Sequence, residues 1–94
     1  MHVGVCTINL RLPQSQSLKD KRRAIKSVID RVKNRFNVSI AEVGLQNSHQ
    51  SAVIGVVSVS GDQHHLNKVL SHVVTFVEKA HSVELVDYEI ELAY

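Results

Sequence analysis

From Cys6 to Leu12 the chain is apolar at every second position, with Cys6, Ile8, Leu10 and Leu12 on one side and Thr7, Asn9 and Arg11 on the other. A period of two is strand geometry with one face buried. A strand is therefore predicted over residues 2–12, ended by Pro13, with residues 14–16 as the loop that follows. From Leu18 the period changes. Leu18, Ile25, Val28, Ile29, Val32 and Phe36 recur at helical spacing and predict one long amphipathic helix. Ser17 suits its N-cap, and Asp20 at the third helical position meets the positive end of the helix dipole and can reach back to the cap. Asn37 is a turn residue that closes the helix. Val38 to Val43 reads as a second strand and Gly44 to Gln50 as a polar loop. Residues 51–59 are nearly all β-branched or small, which predicts a central strand apolar on both faces, with Gly55 marking a bulge or a close contact. Ser60-Gly-Asp-Gln63 reads as a capping box with Ser60 as the cap. A second helix then runs to about Ala80, with Leu66, Val69, Leu70, Val73, Val74 and Val77 as its buried stripe and Phe76 at the edge. Val83 to Leu92 is the last strand, with Val86, Tyr88, Ile90 and Leu92 on one side and Asp87, Glu89, Glu91 and Leu85 on the other.

The order β-α-β-β-α-β, closed by two right-handed crossovers, predicts an α+β ferredoxin-like two-layer sandwich. It has a four-stranded antiparallel sheet with both helices on one face and the first and third strands central. Nothing in the chain covers the other sheet face. Val3, Val5 and alternate valines of the third strand are left exposed there, so a homodimer through that face or along an edge is expected.

Charge adds a second layer. Eight of the eleven Lys and Arg residues lie between Lys19 and Arg35. Residues 1–36 carry nine bases and two acids, while residues 37–94 carry two bases and seven acids. At ~100° per residue, Lys19, Arg22, Arg23, Lys26 and Lys33 share one flank of the first helix, interrupted only by Asp30. Lys21, Arg31 and Arg35 lie on the other side, with Lys21 expected to snorkel beside the core. A solvated face is the ordinary meaning of such a run. The lopsided balance favours instead a surface that attracts phosphate backbones or an acidic protein.

Ninety-four residues make one domain, 1–94, of ordinary globular composition. No apolar run nears the ~20 residues that span a bilayer, so no membrane partner is expected. The start reads as a strand rather than a signal peptide, and a single cysteine suits the reducing cytoplasm. Cys6, on the apolar side of its strand, is a buried small hydrophobe, not a nucleophile. Histidine spacing offers no pair suited to one metal ion, and no phosphate loop or Ser/His/Asp set is present, so no cofactor, metal or catalytic residue is assigned. His65, Lys68, His72 and Lys79 share a side of the second helix, where mild acid adds positive charge. Asp87, Glu89 and Glu91 are read as a solvated edge. The first and third strands hold no Phe, Tyr or Trp on which bases could stack, which disfavours single-strand reading of the usual sheet type.

Ser17-Leu-Lys-Asp-Lys-Arg-Arg, together with Arg35-Phe-Asn-Val-Ser-Ile-Ala-Glu-Val43, Val3-Gly-Val and Phe76-Val-Glu78, resembles the YlxP-like family, a small bacterial family of unknown function. The resemblance spans essentially the whole chain and implies the same ferredoxin-like fold. Genes of that family lie among those for transcription, translation initiation and ribosome maturation, which implies a ribosome- or RNA-associated role. The resemblance supplies no active site. The expected function is thus a non-enzymatic cytoplasmic module that docks on structured RNA, ribosomal RNA first among them, through Lys19, Arg22, Arg23, Lys26 and Lys33. The alternatives are an adaptor for an acidic protein and a dimer that binds a small molecule.

Overall fold

The structure, a computed structural model, describes residues 1–94. The chain runs β1 (His2–Arg11), α1 (Leu18–Arg35), β2 (Ser39–Gly44), β3 (Ser51–Ser60), α2 (Gln63–Glu78) and β4 (Glu84–Leu92). The four strands form one antiparallel sheet in the order β2-β3-β1-β4. This is the ferredoxin-like α+β arrangement, with β1 and β3 central. The inward positions of β1 and β3, among them Ile8, Leu10, Ile54 and Val56, meet Val28 and Val32 of α1 and Leu66, Leu70, Val73 and Val77 of α2 in one core. Each of these has at least one apolar neighbour at strand or helix period, so burial follows from the pattern. At Gly4 the side chains of α2 press on β1: a Cβ there would stand 2.7 Å from Leu70 Cδ1 and 3.1 Å from Leu66, so any larger residue would push those leucines aside.

Ser17 caps α1 as expected, accepting from the Asp20 amide at 3.0 Å. The Asp20 carboxylate reaches one residue beyond the cap and accepts from the Gln16 amide at 3.0 Å. At α2 the cap differs from the expectation. Asp62, not Ser60, holds the cap position, its carboxylate accepting from the amides of His64 and His65. Ser60 Oγ instead accepts from the Asp62 amide, which fixes the turn before the helix, and Gln63 is already its first residue. A charged acceptor on the free amides outweighs a hydroxyl two residues further back. The helix α1 ends at Phe36, whose backbone is extended, so Asn37 is not its closing residue.

β4 also departs from simple alternation. Its register with β1 slips between Asn9 and Leu10, where Asp87 faces Asn9 but Leu85 faces Leu10. Val86 is the extra residue of a bulge. It stands exposed, while Leu85 joins Tyr88 and Ile90 on the helix side. A second slip, at Val43 of β2, sets that valine over Gly55, whose missing side chain leaves the room. The uncovered sheet face carries Val43, Val57 and Val59 exposed to solvent, with Val3, Val5 and Val53 half-buried among them.

Cys6 lies fully buried on β1, and burial pushes its thiol up to about 11. The thiolate is the reacting form. Iodoacetamide is therefore expected to leave Cys6 unmodified in the native protein at neutral pH and to label it once denaturant unfolds the chain. Labelling at equal rates in both states contradicts this.

Candidate functional site

All five cations singled out on α1 are exposed: Lys19, Arg22, Arg23, Lys26 and Lys33. Carried on one uninterrupted helix, they form one stripe, and at ~1.5 Å rise per residue it is roughly 21 Å long from Lys19 to Lys33. One acid lies among them. Asp30 meets Lys26 at 2.7 Å, an exposed i,i+4 pair that neutralises little. The acids of β4 are elsewhere. β4 is the sheet edge opposite β2, α1 lies over β2, and no Cα of α1 comes within 8 Å of β4. Glu84 pairs with Arg11 at 3.6 Å, and Asp87 accepts a hydrogen bond from Asn9, both within the sheet. The positive stripe and the acidic edge thus occupy separate surfaces of the same small domain.

Glu89 and Glu91 repeat the charge problem in negative form. A hydrogen bond that protonated Glu89 donates to Glu91, and then the negative charge of Glu91, hold the Glu89 carboxyl above its usual range. The folded chain binds that proton more tightly than the unfolded chain, so the pair's contribution is fully present in acid and is lost as pH rises through the raised value. Glu89→Gln is expected to raise the thermal midpoint at pH 7 and to leave it unchanged below about pH 4. An equal gain at both pH values would place the effect outside this titration.

Lys21 does not snorkel. It is fully buried, with its ammonium 2.7 Å from Glu42 Oε2 and donating to the carbonyl oxygens of Leu45 and Ser48, each at 2.6 Å. The reason is helical phase. Lys21, Ile25, Val28 and Val32 follow one another at four, three and four residues, so Lys21 occupies the middle of the buried stripe rather than its margin. Glu42 shares the inward face of β2 with Ile40, beneath α1. The approach of Glu42 to Lys21 is an ion contact without hydrogen-bond alignment. The three acceptors together tie the loop after β2 to the first turns of α1. That loop contains Leu45 in the left-handed region, at φ 58°, a conformation that costs a non-glycine residue about 1 kcal/mol. Gln50 adds two ties, donating through its side chain to the Ser15 carbonyl at 3.1 Å and accepting through its own carbonyl from the Leu12 amide at 2.9 Å. Sequence reasoning had a usable signal for the pair: a lysine in register with the apolar stripe, and one glutamate alternating with apolar residues on a strand beneath it.

The remaining charged surface is a cleft of about 430 Å³ where Arg31 and Arg35 of α1 face His72 and Lys79 at α2. Phe36 and Phe76 form its floor, edge to face with ring centres 5.8 Å apart.

The chain and its fold have counterparts among known proteins. Residues 3–90 match the family described as protein of unknown function, DUF503. A Bacillus subtilis (strain 168) relative, Uncharacterized protein YlxP, is 38% identical over 82 residues, covering 87% of this chain and 89% of its own. The chain belongs to this YlxP-like, DUF503 family. Among solved structures it is similar to the de novo designed protein Foldit4, with a TM-score of 0.54 and 17% identity over 98% of this chain and 97% of that one. That likeness concerns the fold alone. Likeness to a REP-associated tyrosine transposase bound to a REP hairpin is weaker, with a TM-score of 0.48 and 15% identity over 99% of this chain and 56% of that one. No helix of the chain is long and apolar enough to cross a membrane.

Proposed function

We propose that the chain is a non-enzymatic cytoplasmic binding module that docks on structured RNA, ribosomal RNA first among the candidates, through Lys19, Arg22, Arg23, Lys26 and Lys33. The observation that supports this reading is the separation of charge: five exposed cations on one rigid flank, with Asp30 the one acid among them and the acidic strand on the far edge of the sheet. Like charges held in a row repel, and a row of phosphates from outside relieves that repulsion while releasing counterions. The contact is to backbone, so it reads shape and charge rather than base sequence.

Salt titration of binding to an RNA hairpin tests it. With four or five phosphates engaged, log Kobs against log salt is expected to fall with a slope of roughly −3.5 to −4.5. A slope near zero contradicts the reading. In a pull-down from extract, a partner that survives RNA digestion identifies an acidic protein as the ligand of the stripe instead. We also assign the open sheet face, with Val57 and Val59 exposed, to self-association. Sedimentation at rising concentration that reports one monomeric species removes that assignment.

A further inference from the structure

The cleft between the helices calls for a separate account, because it faces the other flank of α1 from the stripe. Its cationic lining is Arg31, Arg35 and Lys79, with His72 beside them, and no aspartate or glutamate lines it. None of Arg31, Arg35 and Lys79 has a carboxylate partner within 4 Å. Part of this has a bland cause. Arg35 lies in the last turn of α1 and Lys79 is the C-cap of α2, where cations complement the helix dipoles. That cause does not extend to Arg31, a full turn further in, or to His72, two turns from the end of α2. The aromatic floor is the rim of the core, where Phe36 and Phe76 are half-buried and present the rest of their rings to the cleft. Arg35 lies over Phe76, its guanidinium carbon 5.3 Å from the ring centre, and Phe36 meets the same ring edge to face. A guanidinium beside a ring and exposed to solvent can still give its N–H groups to an anion and its open face to a base. At about 430 Å³ the cleft falls within the size range of small-molecule sites, far larger than a lone phosphate needs.

We propose that this cleft between the C-terminal halves of the two helices is a binding site for a nucleoside phosphate. Arg31 and Lys79 hold the phosphate, and the base lies against the Arg35 guanidinium and the phenylalanine edge. The ligand is either a free nucleotide or one unpaired nucleotide of an RNA strand. The two share the chemistry and differ only in source. The proposal does not require the stripe to bind RNA.

The test is an NMR titration of the isotope-labelled full chain with adenosine 5′-monophosphate, with adenosine and inorganic phosphate as component controls and a four-residue single-stranded RNA as the second source. The expected result is saturable shifts at the amides of Thr75, Phe76 and Lys79. Affinity for the nucleotide should exceed that for either component by at least about tenfold, since both halves of the site then contribute. Arg31→Gln with Lys79→Gln, two exposed substitutions outside the core, is expected to lower that affinity at least about tenfold while the rest of the spectrum stays unchanged. Arg22→Glu with Lys26→Glu is expected to leave it alone, which separates this site from the stripe. Tighter binding of the monophosphate assigns the site to a free nucleotide, and tighter binding of the oligonucleotide assigns it to a strand. Three results overturn the proposal: no saturable shift with either nucleotide probe, shifts that map to Lys19 and Lys26 instead, or adenosine binding as well as its monophosphate.

Discussion

Lys21→Met is expected to destabilise the domain by about 3 kcal/mol, near the lower end of the cost of stripping one partner from a buried ion pair. Methionine keeps the length and apolar stem of lysine, so the packing beside Ile25 and Val28 survives and the loss isolates the ammonium. What remains is Glu42 with a buried oxygen and no counter-charge, together with the Leu45 and Ser48 carbonyls stripped of their lysine donor. Glu42 keeps 18% of its side chain exposed, which lets water relieve part of the penalty and is why the lower figure applies. For a domain of this size such a loss lowers the melting midpoint by roughly 15 °C. Glu42→Gln is expected to cost less, because Lys21 retains both carbonyl acceptors. Urea unfolding of the two single variants and the double variant measures the coupling. A cost below about 1 kcal/mol for Lys21→Met would mean that the pair contributes no more than a surface pair does. Hydrogen exchange adds a local readout: residues 45–50 should lose protection before the core does, since Lys21 is what ties that loop to α1.

Reversing two charges of the stripe, Arg22→Glu with Lys26→Glu, is expected to weaken binding to structured RNA by about a hundredfold at moderate salt and to flatten the salt slope by at least about 2. Both side chains are exposed, so the fold should be unaffected beyond the small value of the Lys26–Asp30 pair. Unchanged circular dichroism and an unchanged unfolding midpoint, measured beside the lost affinity, keep the two effects apart. The contrast with Lys21 is informative. Three positions in a row, Lys21, Arg22 and Arg23, all carry cations. One holds the molecule together, and the two beside it face outward, because a single helical step of ~100° separates the interior from the solvent.

The order of elements and the central place of β1 and β3 were legible from periodicity, since the apolar positions of β1, α1, β3 and α2 bury where their spacing points. The places where reading failed share a physical form. A bulge adds one residue without changing composition, so Val86 and Leu85 exchanged sides with no mark in the pattern. Asp62 displaced Ser60 as a cap because both are good caps two residues apart, and only the backbone path decides between them. Lysine is a surface residue by habit, which argues for the margin of the stripe, although the phase of Lys21 puts it at the centre. The stripe was visible as a run of charge. That the acids of β4 lie on the far edge follows from strand order, which the sequence implies through topology alone. The cleft was not visible in advance, because Arg31 and Arg35 meet His72 and Lys79 only once the two helices are packed side by side.

The reading of the stripe as an RNA-docking surface is tested most directly by sedimenting cell extract at low and high salt and following the chain through the gradient, with the Arg22→Glu, Lys26→Glu variant run beside it. The native chain is expected to travel with ribosomal particles at low salt and to leave them at high salt or after ribonuclease digestion, while the variant stays at the top throughout. A native chain that stays at the top of the low-salt gradient, or a variant that sediments with it, would contradict the account.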